Sequence, residues 1–143
     1  MHIRDIYSRI INDMESDDRQ VQWDAMIKWC TLWINVQHKE LTPLLELIKE
    51  LKEIGFWERY YPSQSHYALG LSLGKNYDER YDLPMVYIRY NSDKNNFDIQ
   101  YQKGQGGKTT RVACGEKLLK KDFHRIERWL DDKTNNSRTL END

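Results

Sequence analysis

The sequence predicts an α+β fold in which three N-terminal helices and one C-terminal helix pack, in two layers, on a roughly four-stranded antiparallel meander sheet. Three observations carry it. Apolar residues recur at helical spacing over residues 3–54 and again over 119–130, and the spacing falls from near four to two after Gly55. The segments of period two are separated by turns short enough only for antiparallel neighbours.

Ile3, Ile6, Tyr7, Ile10, Ile11 and Met14 form one apolar stripe, with Arg4, Asp5, Arg9 and Asn12 opposite, and so predict an amphipathic first helix. Glu15-Ser16-Asp17-Asp18 then supplies a turn and an N-cap. A second helix, from about Arg19 to Lys39, carries Trp23, Met26, Ile27, Trp29, Cys30, Trp33, Ile34 and Val36 on more than one face, the pattern of a central helix. Its three tryptophans are read as core, because each removes a large area from water. The third helix is punctuated at both ends: Thr42 as N-cap, Pro43 at the first helical position, Gly55 just past the end. Leu44, Leu45, Leu47, Ile48, Leu51 and Ile54 form its buried stripe, while Glu46, Lys49, Glu50, Lys52 and Glu53 face water.

His66 to Leu73 alternates strictly, with Tyr67, Leu69, Leu71 and Leu73 on one face and the small Ala68, Gly70 and Ser72 on the other. Residues 74–83 read as a polar loop bearing tyrosines. Met85–Tyr90 and Phe97–Tyr101 predict a hairpin in which Val86, Ile88 and Tyr90 face the same side as Phe97, Ile99 and Tyr101. A turn at Gly104-Gln105-Gly106-Gly107 leads to a last strand near 108–113, and the closing helix lies between Glu116 and Lys133. One domain is expected over residues 1–133, with 134–143 as a frayed tail. With helices on one side only, Tyr87, Arg89, Asp98, Gln100 and Arg111 are left on an open polar sheet face.

At 38% hydrophobic, 31% charged and 12% aromatic, the composition belongs to a folded domain and excludes a disordered chain. Cys30 and Cys114 show no C-x-x-C spacing, and charges at Arg4, Asp5, Arg9 and Asp13 interrupt the N-terminal stretch, so no signal segment is expected there. The expected setting is the cytoplasm, with free thiols and no membrane span. Residues 1–58 hold eleven Asp/Glu against seven Lys/Arg, whereas 103–128 hold eight Lys/Arg against three Asp/Glu. The basic end is a possible footprint for nucleic acid or an acidic partner, and equally the solvated side of one strand and helix.

The string Lys103-Gly104-Gln105-Gly106-Gly107-Lys108-Thr109-Thr110 resembles the phosphate-binding loop of ParA-type partition ATPases. The resemblance implies phosphate held by glycine amides, a lysine and a threonine hydroxyl. Its surroundings deny it. That loop opens a helix, whereas Thr109 to Ala113 reads as a strand, and only 33 residues follow Thr110. His2, His38, His66 and His124 show no metal-ligand spacing, so neither a metal nor another cofactor is expected. Cys114 and His124 lack a third orienting residue, and the adjacent acids Asp17-Asp18 and Asp131-Asp132 look like helix flanks. No catalytic residues are assigned, and an enzyme whose site assembles only in space ranks third.

The first reading is therefore a non-enzymatic protein-binding module. Its layout resembles that of immunity proteins, which implies a partner toxin or enzyme that it inhibits; a homodimer is a further option. Tyr60, Tyr61, Tyr77, Tyr81, Tyr87 and Arg89 are the expected partner-binding residues, since Tyr and Arg anchor interfaces. The alternative is a nucleic-acid-associated module using Lys103, Lys108, Arg111 and Lys121.

Overall fold

A computed structural model describes residues 2–104 and 106–131, and the expected tail at 134–143 lies outside them. The described elements are α1 (Ile3–Met14), α2 (Arg19–Val36), α3 (Thr42–Glu53), β1 (Tyr61–Ser65), β2 (Ala68–Ser72), α4 (Tyr77–Arg80), β3 (Met85–Asn91), β4 (Asn96–Gln102), β5 (Thr109–Ala113) and α5 (Lys120–Asp131). The α+β class and the antiparallel sheet agree with the sequence. The strands lie in the order β1-β2-β3-β4-β5, a pure meander with one more strand than expected.

The additional strand is β1. Tyr61-Pro62-Ser63-Gln64-Ser65 carries no apolar alternation, and a proline ordinarily argues against a strand. Pro62 is tolerated because β1 is an edge, where its missing N–H leaves no internal ladder bond unmade. The β1–β2 pairing places Ser65 opposite Ala68, so the turn consists of His66 and Tyr67 alone. Both have positive φ, 48° and 63°, as a two-residue primed turn requires. Tyr67 therefore belongs to the turn rather than to the strand expected to begin at His66.

The β3–β4 register matches the expected faces: Val86 pairs with Tyr101, Ile88 with Ile99 and Tyr90 with Phe97. These residues, with Leu69 and Leu71, meet α2, α3 and α5 on one side of the sheet, while α1 packs on α2. Trp23, Trp29, Leu44, Ile48, Leu51 and Phe56 fill the space between. Helix α5 contributes Ile126 and Leu130, and Trp129 stacks on Tyr101 with centroids 5.2 Å apart and planes 13° off parallel.

Helix α2 begins where Asp18 accepts hydrogen bonds from the amides of Gln20 and Val21. Asp18→Ala is expected to cost about 1 kcal/mol through these lost cap bonds, read as a lower urea midpoint with an unchanged slope. The start of α3 differs from expectation. Leu41 is already helical and the Thr42 hydroxyl donates to the Lys39 carbonyl at 2.7 Å, because a 3₁₀ turn over Lys39–Leu41 runs straight into the helix. Gly55 ends it at φ 97°, as its position suggested.

The 74–83 segment is not all loop. Asn76 accepts from the amide of Glu79 and caps the short α4, a pattern visible in the sequence as Asn-x-x-Glu.

Candidate binding face

In a pleated strand successive side chains point to opposite sides, so the residues between those of the core define the second face of the sheet. The pairings place Ser63 beside Gly70, Gly70 beside Tyr87, Tyr87 beside Gln100 and Gln100 beside Arg111 on that face. Arg89 and Asp98 pair next to them. Small residues on β2 make the surface hollow between taller neighbours. All five residues expected on the open face, Tyr87, Arg89, Asp98, Gln100 and Arg111, are on it.

Two adjoining hollows share Tyr87. One, of about 150 Å³, is lined by Ser63, Ser65, Tyr87 and Gln102 of the sheet and by Arg80, Tyr77 and Tyr81 of the α4 segment. The other, of about 250 Å³, is lined by His66, Tyr87, Arg89, Asp98, Gln100 and Arg111. Helix α4 thus roofs one end of the face and leaves the rest uncovered. A close approach permits this: a Cβ on Gly74 would lie 2.7 Å from the Arg80 amide nitrogen, so only glycine lets the two backbones meet there.

Electrostatically the face is cationic, with Arg80, Arg89 and Arg111 against Asp98. Arg111 donates to the Gln100 side-chain oxygen at 2.9 Å. Burial lowers the Arg80 pKa from its usual value, with the neighbouring Tyr87 and Tyr77 opposing. Burial likewise raises the Tyr87 phenol, against the pull of Arg80. Both groups are partly covered, one a cation and the other a neutral phenol, and Arg80 faces no carboxylate within ion-pair distance among the described residues.

The turn at one end of the face is strained. Positive φ costs a non-glycine residue roughly 1–2 kcal/mol, and His66 and Tyr67 both adopt it. Tyr67 has a structural reason: its ring packs against Trp29, Trp33 and His38, with centroids 5.0–6.3 Å away. His66 is exposed and instead forms part of the wall of the larger hollow.

Of the six expected partner-binding residues, four gather here: Tyr77, Tyr81, Tyr87 and Arg89. Tyr61 is half-buried at the start of β1, its ring 5.1 Å from the Arg19 guanidinium. Tyr60 requires correction as an interface residue. It is 0% exposed, packs edge-on against Phe56, and donates its hydroxyl to Asp131 at 2.9 Å. Burial, reinforced by Asp131, raises its pKa. A tight turn over Phe56–Glu58 sends both Phe56 and Tyr60 inward, one helical repeat apart.

The four residues of the nucleic-acid alternative do not form one patch. Arg111 is on the open face, and Lys103 and Lys108 are exposed at the β4–β5 turn. Lys121 is on α5, which covers the opposite face. The glycine turn before β5 leads into a strand, so no helix N-terminus is available there to meet a phosphate.

Cys114 and His124 are not paired. The Cys114 thiol lies 3.5 Å from the buried Asp122 carboxylate, which also accepts the Leu119 amide at 2.8 Å and so caps α5. His124 is largely exposed beside Glu127. Burial and then Asp122 push the Cys114 thiol up to about 11, the reverse of what a nucleophile needs. Among the described residues no group of three or more His, Cys, Asp or Glu side chains is placed to hold a metal ion. No described helix is long and apolar enough to cross a membrane.

Arg80 and His66 were not among the residues expected at a site. The Asn76-x-x-Glu79 capping pattern is the signal that could have found the ordered segment carrying Arg80, which otherwise reads in the sequence as loop; nothing in the sequence marks His66. No family model, curated protein or solved structure matches the chain.

Proposed function

We propose that the protein is a non-enzymatic protein-binding module of the immunity type, which neutralises a partner toxin or enzyme by holding it against the open face of the sheet. The observation that supports this reading is the gathering of Tyr77, Tyr81, Tyr87 and Arg89 around two shallow hollows on the one face that α2, α3 and α5 leave uncovered. Tyrosines and arginines carried on β3 and on the α4 segment seated against it bring contact area and directional donors. A cytoplasmic setting belongs to the same reading, since Cys30 and Cys114 are both free thiols.

The test is capture of the partner by the tagged protein from native lysate, with and without nuclease. One stoichiometric protein is expected, retained after nuclease and after charge reversal at Lys121. Tyr87→Ala should weaken its binding by at least about thirtyfold, the effect of losing an interface anchor. Capture that disappears with nuclease would overturn the reading in favour of nucleic acid. Capture unaffected by Tyr87→Ala would show that the partner docks elsewhere.

A further inference from the structure

Arg80 is one of three partly covered arginines, with Arg19 and Arg125, that have no carboxylate within ion-pair distance among the described residues, and Arg19 donates instead to the Glu58 carbonyl. Lys52 faces Asp24, Arg59 faces Glu127 and Asp131, and Lys75 faces Asp17. Arg80 has no such carboxylate among the described residues, although it is partly covered. Covering a guanidinium without a counter-ion is unfavourable. Here the arrangement is fixed by backbone, because α4 is capped by Asn76 and seated against Gly74. The same hollow is lined by Ser63, Tyr77, Tyr81 and Tyr87, whose hydroxyls are groups able to donate to an oxyanion. Arg89 and Arg111 continue the positive charge into the adjoining hollow, where Asp98 is the single carboxylate of the lining.

Resting on the protein-binding reading above, we infer that the open face takes an acidic segment of its partner protein, with one Asp or Glu carboxylate seated in the smaller hollow on Arg80 and a second acid meeting Arg89 and Arg111. Charge complementarity selects this occupant. A planar guanidinium forks two parallel N–H bonds to a carboxylate, and the hollow of about 150 Å³ admits a side-chain head group rather than an extended apolar segment. Tyr87, common to both hollows, fixes the spacing between the two acids.

The probe is the capped peptide acetyl-Glu-Gly-Glu-amide, titrated into ¹⁵N-labelled protein at constant ionic strength. The Gln-Gly-Gln peptide and inorganic phosphate serve as parallel arms. Expected are saturable shifts of the Arg80 side-chain Nε–H and the Tyr87 and Gln102 amides with the glutamate peptide, absent with the glutamine peptide and at least about tenfold weaker in Arg80→Gln. No saturable shift in the unmodified protein would overturn the inference, and that arm does not depend on any variant folding. Saturation by phosphate but not by the peptide would also overturn it, showing a phosphate site instead. The two levels of the reading fail separately. A captured partner protein whose binding is unchanged by Arg80→Gln removes the acidic-segment inference and leaves the binding module. Peptide saturation without any captured protein keeps the carboxylate site and removes the module.

Discussion

Replacing Trp23 with alanine is expected to destabilise the folded state by about 3–5 kcal/mol. Trp23 is 0% exposed, and its indole N–H donates to the Tyr60 carbonyl at 2.9 Å. The ring therefore fills the space between α2 and the sheet, and also anchors the chain as it enters β1. Truncation opens a cavity and leaves a buried carbonyl without its donor, two losses that add. Small domains are stable by only about 5–15 kcal/mol, so the variant would lose a large share of its stability. Trp23→Phe separates the terms: most of the packing stays and only the hydrogen bond is lost, for about 1 kcal/mol. Urea unfolding of both variants reads the difference. A loss under about 1 kcal/mol for the alanine variant would contradict the assignment of Trp23 to the centre of the core.

The second large effect is a loss of stability in alkali that depends on Cys30. This thiol is 0% exposed beneath α3, near the Leu41 carbonyl, and burial pushes it up to about 12 from 9.0. Unfolded, it releases its proton near 9; folded, only near 12. Between those values the unfolded state gains by ionising and the folded state does not, so stability is intact below pH 9 and falls as the pH rises toward 12. At about 1.4 kcal/mol per unit the full loss is on the order of 4 kcal/mol. Unfolding free energies at pH 8, 10 and 11 should fall steeply for the native sequence and more gently for Cys30→Ala. Equal slopes would mean that the thiol is not held protonated. Tyr60, raised in the same direction, steepens the decline in both proteins above pH 10.

Where periodicity and punctuation agree, the sequence was readable. The α2 cap at Asp18, the stop of α3 at Gly55 and the facing of Val86, Ile88 and Tyr90 against Tyr101, Ile99 and Phe97 all follow from local pattern. Strand β1 was not readable, because its neighbour β2 and the helix layer hold it in place rather than its own composition. Its turn carries neither glycine nor asparagine: the primed geometry at His66-Tyr67 is sustained by rings from α2 and by His38, far away in sequence. For the site, alternation was enough to name the open face. Depth was not legible. Tyr60 and Tyr77 are both tyrosines in connecting segments, yet one is 0% exposed and the other 65%. Arg80 became a site residue only once Gly74 and α4 were placed against the sheet.

The nearest-neighbour order of the strands also bears on how the chain reaches this structure. Every ladder joins segments adjacent along the chain, so pairing can advance one hairpin at a time, each step closing a short loop with a small entropic penalty. The exception is α5. It must return across the finished sheet to stack Trp129 on Tyr101 and to bring Asp131 to Tyr60, partners 71 residues apart. The open face needs none of those α5 contacts for its own register, which the strand ladders set together with the packing of α2 and His38 against the Tyr67 turn. Packing of α5 completes the cover that α2 and α3 begin on the opposite side of the sheet, so the C-terminal helix closes the core from a part of the chain remote from the helices beside it.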